Sequence, residues 1–154
     1  MDKHPSHAGG HYRNFLIELV FDFIVMYLAM YSMIASLNHF RFNLNNIYMT
    51  LIMLAPMALV MLVTMRSMFP SKRANILLAG GAVIAFVIGF MGMRTQAGAG
   101  DKELLRAMIP HHSGAILMCE EASLSDPEVI QLCKNIVEAQ KREISQMEGI
   151  LARK

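Results

Sequence analysis

Charged side chains are scarce in this sequence, and neither sign of charge dominates. Only 17% of the 154 residues are Asp, Glu, Lys or Arg, 55% are hydrophobic, and the mean hydropathy is +0.39. Soluble domains contain about 25% charged and about 45–50% apolar residues, so this balance excludes an ordinary soluble domain and predicts a membrane protein. The net charge of +2 is too small to predict binding to nucleic acid.

Other features are also missing or rare. Tryptophan is absent, cysteine occurs twice, and the sequence has no internal repeat or low-complexity tract, whereas methionine occurs 15 times. No small-residue cleavage site follows the first apolar run, which is also longer than the apolar part of a signal peptide. We therefore expect this run to remain in the protein as a membrane span.

Three apolar stretches are each close to the length of about 20 residues that a transmembrane helix needs. Polar segments separate them, and a small, flexible linker follows the third. The predicted organisation is a cytoplasmic tail (1–14), a three-helix membrane region (15–93, with spans at 15–37, 47–65 and 74–93), a linker (94–100) and a helical domain (101–154).

The positive charges predict the orientation of the spans. The short loop after the first span carries only Arg41, whereas the N-terminus and the second loop carry Lys3, Arg13, Arg66, Lys72 and Arg73. Because basic residues stay on the cytoplasmic side, the N-terminus is predicted to be cytoplasmic and the segment after residue 93 to lie outside.

The segment after residue 100 has the pattern of two amphipathic helices. Asp101 is predicted to cap the first helix and Asp126 the second, with Pro127 in the first turn of the latter. Two helices joined by so short a turn form an antiparallel hairpin, so we expect an all-α fold. Predicted inward positions recur at helical spacing at Leu104, Leu105, Met108, Ile109, His112, Ile116 and Cys119, and at Val129, Leu132, Cys133, Ile136, Val137, Gln140, Ile144, Met147 and Leu151.

The hairpin carries a candidate metal site. Met108, His111 and His112 lie on one face of the first helix, just around Pro110, which is expected to kink it. A turn centred on Ser125 and Asp126 places His112 opposite Gln140, and Glu143 and Met147 within a turn of Met108. Thioether and imidazole ligands favour copper, with thioether selecting Cu(I) and Ag(I) serving as its mimic; imidazole also retains Cu(II). The alternative is that the histidines only pack and form hydrogen bonds.

The same register places Cys119 opposite Cys133. In an oxidising compartment this pair is expected to form a disulfide. If both thiols were free, Cys119 would instead be a candidate copper ligand.

The segment MIPHHSGAILM, the following DPEV and LC, and the spaced Gln140, Glu143, Ile144 and Met147 resemble the bacterial family called domain of unknown function 305. The resemblance covers residues 101–154, and the three spans are similar to the family's membrane-anchored branch. It implies a ferritin-like hairpin or half-bundle, copper binding in the cell envelope, and a bacterial inner membrane with the hairpin in the periplasm. The metal-side residues that it implies are Met108, His111, His112, Met118 and Met147.

Secreted members of that family have longer, repeated helical regions, whereas this chain has a single hairpin. One hairpin buries little apolar surface by itself, so a partner is expected: a second copy of the chain or a copper-transport protein.

The second span carries methionine at every fourth position. These residues form a slowly winding stripe along the helix, at Met49, Met53, Met57, Met61 and Met65. The stripe is either apolar filling between helices or a ladder of thioether sites for a soft ion. In the third span Gly81, Ala85 and Gly89 are predicted to allow close helix packing.

The predicted function is therefore a membrane-anchored protein that buffers or relays copper, without enzymatic activity, since no nucleophile–base pair demands catalysis. The alternative is a structural or regulatory subunit that docks on a membrane metal transporter. A di-iron oxidase is disfavoured, because no histidine follows Glu120 or Glu121 at the required spacing and the second helix has no histidine. The expected partners are membrane lipid and the metal ion, and not nucleic acid.

Overall fold

The computed structural model describes residues 6–154, and the side chains of residues 10–154. These residues form helices and no strand, which confirms the prediction of an all-α chain. The five α-helices are α1 (Ser6–Ala29), α2 (Leu44–Thr64), α3 (Lys72–Thr95), α4 (Asp101–Glu121) and α5 (Pro127–Leu151), with 3-10 turns at Met30–Met33 and Leu37–His39.

The predicted boundaries differ most at the first helix. α1 begins at Ser6, so residues 6–14, predicted as part of a tail, are helical; the rest of that tail lies outside the described residues. α1 ends at Ala29, and the last part of the predicted first span is instead a 3-10 turn and irregular backbone. α3 continues to Thr95, into the predicted linker.

Three helical segments are long and apolar enough to cross a membrane: Gly10–Met33, Leu44–Thr64 and Lys72–Thr95. Their outer surfaces are rich in apolar side chains, such as Val63, Ile76 and Leu77, which are each more than two-thirds exposed. Such a surface is costly in water and suits the hydrocarbon of a bilayer. The chain is therefore suited to association with a membrane.

The chain divides into two compact units. The first comprises α1 with Asn45–Ala97, and the second comprises Met30–Leu44 with Gly98–Lys154. Each unit has its own apolar core, and the candidate metal residues of the hairpin all belong to the second.

Aromatic packing holds the first unit together at one end of its helices. Phe15 and Phe69 are buried in edge-to-face contact, with ring centroids 5.2 Å apart, and Ala58 and Leu62 complete the cluster. Tyr12 packs beside Phe69 and donates a hydrogen bond of 2.8 Å to the side chain of Asn75. Apolar burial and a polar tie thus join α1, α2 and α3 at the loop between the last two.

Close contact between α2 and α3 depends on two glycines. A Cβ atom at Gly89 would lie 2.9 Å from the carbonyl oxygen of Tyr48, and one at Gly92 would meet the Tyr48 ring. Gly81, predicted to serve the same purpose, has nothing within 4 Å of its Cβ position. The close approach therefore lies nearer the C-terminal end of α3 than predicted.

The hairpin of α4 and α5 forms the body of the second unit. Ile109, Ile116 and Ile144 are its buried core, and Met147 is among the residues that pack against them. Asp126 caps α5 as predicted, accepting hydrogen bonds from two backbone N–H groups. At the other end, a hydrogen bond from Lys154 holds the pKa of the Asp101 carboxyl below its usual value.

Some hairpin predictions are wrong in detail. Gly100, not Asp101, occupies the N-cap of α4, where no side chain caps the helix. Leu104, Val129 and Leu132, predicted to point inward, are 50%, 42% and 57% exposed. These three extend the apolar surface on the outside of the hairpin.

The segment Met30–Leu44, here called the strap, belongs to the same unit as the hairpin. Arg41 forms an ion pair of 3.0 Å with Glu148 of α5. Within the strap, Asn43 donates hydrogen bonds to the Tyr31 hydroxyl and to the Arg41 carbonyl. The strap therefore covers one side of the hairpin and is fixed there by polar contacts.

Gly89→Ala should destabilise the first unit, because the new methyl group would collide with backbone that cannot move aside. Overpacking of this kind costs about 1–3 kcal/mol. Gly80→Ala is the matched control, since nothing lies within 4 Å of its Cβ position; it should be neutral or stabilising by up to about 1 kcal/mol. Thermal unfolding in detergent measures both, and equal stability of the two variants would contradict the close approach.

Candidate metal centre

Helix α4 places His112 in the seam of the hairpin. Ile109, His112 and Ile116 recur at intervals of three and four residues, so they share the face that packs on α5. His112 is only 7% exposed. Its imidazole is therefore removed from bulk water, and its polar atoms must find partners inside the protein.

Both ring nitrogens of His112 have such partners. Nδ1 lies 2.9 Å from the carbonyl oxygen of Met108, one turn earlier in α4. Nε2 lies 2.7 Å from Oε2 of Glu143 on α5. Because a carbonyl oxygen can only accept, Nδ1 must carry a proton and donate it. Nε2 then faces a carboxylate oxygen, which also accepts, so a proton or another cation must mediate that contact.

The Glu143 side of this contact is accessible to solvent. Its side chain is 53% exposed, whereas that of His112 is 9% exposed. The pair thus joins a fixed imidazole to a carboxylate that solvent, or a ligand, can reach.

The predicted residues are only partly brought together. Met108 and Met147 are half-buried, and each lies one helical turn from a member of the His112–Glu143 pair. His111 is exposed, with its ring centroid 6.0 Å from that of His112. Met118 is 56% exposed and does not share the face of His112. Among the described residues, no group of three or more His, Cys, Asp or Glu side chains is placed to hold a metal ion.

The register differs slightly from the prediction. His112 forms its polar contact with Glu143, whereas Gln140 was predicted to face it and Glu143 was predicted within a turn of Met108. Nearer the turn, Cys119 and Cys133 are joined by a disulfide, with their Cα atoms 5.3 Å apart. The disulfide fixes the two helices against sliding, so the position of Glu143 relative to His112 is fixed as well.

Ser113 was missed by reasoning from the sequence. It is fully buried, and its Oγ accepts a hydrogen bond of 2.8 Å from the backbone N–H of Ala35 in the strap. Oγ also lies 2.8 Å from Nδ1 of His39. A small polar residue directly after two histidines was a signal for such a contact, but its partner lies more than seventy residues away.

The methionine stripe of α2 lies largely at the surface of the first unit. Met49, Met53 and Met65 are between 37% and 48% exposed, whereas Met61 packs against the aromatic cluster. The stripe is therefore not enclosed by the helices of one chain. Whether it passes ions stays a prediction.

Fold and site together define an all-α chain with three helices of membrane-spanning length and a hairpin that holds a buried histidine against a carboxylate. Residues 91–151 match the family described as Domain of unknown function (DUF305). An uncharacterized protein of Acanthamoeba polyphaga mimivirus is 32% identical over 139 residues, which cover 88% of this chain and 90% of that protein. No solved structure matches the chain. The chain belongs to the DUF305 family, which confirms the family predicted from the sequence.

The matched relative is viral, and this gives no support to the predicted bacterial origin. The match extends well beyond the hairpin, because it covers most of both chains. The similarity to this relative therefore includes both the membrane-length helices and the hairpin.

Ser113→Ala should loosen the strap, because it leaves the Ala35 N–H without its acceptor and His39 without its partner. Loss of a buried hydrogen-bond partner costs about 1–3 kcal/mol. Ser145→Ala, at an exposed position of α5, is the control and should change the unfolding temperature little. Hydrogen exchange at Ala35 gives a local readout, and unchanged protection there would contradict the contact.

Proposed function

We propose that the protein is a membrane-anchored copper-binding protein that buffers or relays the metal, with His112 and Glu143 at the centre of its site. The observation that carries the proposal is the distance of 2.7 Å between Nε2 of His112 and Oε2 of Glu143. Both atoms are acceptors once Nδ1 carries the proton. A metal cation can replace the proton between them.

The hydrogen bond at Nδ1 supports this role for the imidazole. Histidines that bind metals usually donate their other N–H to a carbonyl or carboxylate, which fixes the tautomer and the ring. Met108 supplies that carbonyl here, from within the same helix. His112 is thus held in the form that offers Nε2 as a ligand.

The surrounding donors favour copper over harder ions. Imidazole and carboxylate suit Cu(II), and the thioethers of Met108 and Met147, one turn from His112 and Glu143, suit Cu(I) and its mimic Ag(I). Calcium and magnesium prefer sites made of oxygen ligands alone. A site that combines imidazole, carboxylate and thioether ligands can hold copper in either oxidation state. When bound, copper supplies a charge that satisfies both acceptors.

We propose a binding protein and not an enzyme. The contact between His39 and Ser113 has the composition of a base and a nucleophile, but Ser113 is fully buried and its oxygen accepts from backbone. A nucleophile must be reachable by its substrate. These two residues are better explained as the tie between strap and hairpin.

The alternative role is that of a non-catalytic subunit that docks on a membrane metal transporter. A different observation supports it. Leu104, Met118 and Leu132 are each at least 50% exposed on the hairpin. Exposed apolar residues of this size mark contact surfaces when they lie together. Copper binding separates the roles, because a docking subunit needs no metal.

Copper should raise the unfolding temperature of the wild-type chain in detergent, since only the folded hairpin presents the site. At a free metal concentration about 100-fold above the dissociation constant, the stabilisation is about 2.7 kcal/mol. His112→Ala and Glu143→Gln should lose this effect, and Met147→Leu should lose more of it for Cu(I) than for Cu(II).

Met91→Leu is the matched control for the methionine variant, because Met91 is exposed on α3, outside the hairpin. Leucine nearly conserves the volume of methionine and removes the sulfur. Equal copper stabilisation in the wild type and in Glu143→Gln would contradict the proposed site. Because Glu143 is half exposed and glutamine has the same shape, that variant is expected to fold.

We further propose that the hairpin lies on the non-cytoplasmic side of the membrane. The charge bias supports this orientation, and so does the disulfide, which persists in oxidising compartments. The strap joins α1 to α2 and contacts the hairpin through Arg41 and Glu148. Both segments must therefore lie on one side, as they do when α1, α2 and α3 each cross the bilayer.

A reporter that functions only outside the cytoplasm tests this orientation. Fused after Lys154 it should be active, and inserted in the loop between α2 and α3 it should be silent. The opposite pattern would contradict the orientation and would leave the disulfide in a reducing compartment.

A further inference from the structure

The strap leaves one side of the hairpin uncovered. It contacts α4 at Ser113 and Gly114, and α5 at Glu148. On the opposite side, α4 and α5 present a surface that we call the open face, which contains Leu104, Ala115, Met118, Ile136, Ala139 and Ile150. Leu104 and Met118 are 50% and 56% exposed in the whole chain. The other four are half-buried.

His111 and Glu143 are polar residues of this face, one helical turn from Ala115 and Ala139. His111 is exposed, and the Glu143 side chain is 53% exposed. An imidazole N–H donates hydrogen bonds and a carboxylate accepts them, so the face is complementary in hydrogen bonding to a second copy of itself.

The register of the hairpin makes the apolar residues complementary as well. The Cys119–Cys133 disulfide and the His112–Glu143 contact fix which residues of α4 and α5 lie at the same height. Ala115 lies level with Ala139, and Met118 with Ile136. The same register places Leu104 level with Ile150, and His111 level with Glu143.

A two-fold axis parallel to the helices preserves these heights and brings α4 of one copy against α5 of the other. Ala115 then meets Ala139, which allows the helices to approach closely at the centre. Met118 meets Ile136, on one side of that centre, and His111 meets Glu143 on the other. The result is a four-helix bundle, an arrangement in which metal sites are built from side chains on facing helices.

We propose that two copies of the chain pair through the open face and that His111 of each copy completes the metal site formed by His112 and Glu143 of the other. The metal part of this inference rests on the proposed function. Within one chain the site has a single imidazole and a single carboxylate, fewer strong ligands than a stable site needs. Pairing gives each of the two sites a second imidazole, on the open side of Glu143.

Mixed pairs of two inactive variants test whether His111 acts across the pair. Chains with His111→Ala and chains with Glu143→Gln are given different affinity tags, co-expressed, and purified through both tags. Each variant alone should lose copper, because every site in its pairs lacks one ligand. The mixed pair has one complete site out of two and should bind about half the copper per chain of the wild type.

If His111 acted within its own chain, neither site of the mixed pair would be complete. Mixed pairs without copper, beside a wild type that binds it, would overturn the inference and leave the proposed function standing. A wild type that binds no copper would overturn the proposed function, and with it the shared site.

A second variant tests the pairing itself, without metal. Ala115→Arg places a charge at the centre of the open face and should give single chains in detergent, measured by light scattering. Ser145→Arg, at an exposed position of α5 away from the open face, is the control and should remain paired. A wild type that is a single chain, or an Ala115→Arg variant that stays paired, would contradict this surface as the interface.

Discussion

The hydrogen bond from Nδ1 of His112 to the carbonyl oxygen of Met108 determines what the hairpin can do. It consumes the one proton that a neutral imidazole carries, so Nε2 is left as an acceptor against the carboxylate of Glu143. Two acceptors at 2.7 Å require a cation between them. In the absence of metal, a shared proton fills this position. In the proposed function, a metal ion takes the place of this proton.

The rest of the second unit maintains this geometry. The disulfide prevents α4 and α5 from sliding, and the isoleucine core sets the distance between them. The strap contacts α4 through a hydrogen bond to Ser113. The carboxylate of Glu143 is accessible to solvent. The proposed metal site therefore combines a fixed imidazole with an accessible carboxylate.

Sequence periodicity was sufficient for the element types and for the hairpin, because amphipathic spacing and the Asp126–Pro127 start are local signals. The register was predicted well near the turn, at Cys119 and Cys133, and less well at His112, where a small difference accumulates along the helices. The strap was not predicted. Its contact with Ser113 joins residues far apart in the chain, and neither segment has a periodic pattern that identifies the other.

The exposed apolar residues of the hairpin also show that apolar residues at helical spacing are not always buried. Leu104 and Leu132 fit the helical spacing, but two helices bury only the side chains between them. The first unit raises the same question, because three of the five stripe methionines, Met49, Met53 and Met65, are exposed. In a membrane, outward apolar residues meet lipid, so their pattern alone does not separate packing from ion passage.

Nitrogen NMR of the His112 imidazole tests the central claim most directly. In metal-free protein, Nδ1 should carry a proton that is hydrogen-bonded to a carbonyl. With Ag(I) added as the mimic of Cu(I), Nε2 should show scalar coupling to silver and no attached proton, while Nδ1 keeps its proton. An Nε2 signal that does not change at saturating Ag(I), or a Nδ1 that carries no proton, would contradict the account.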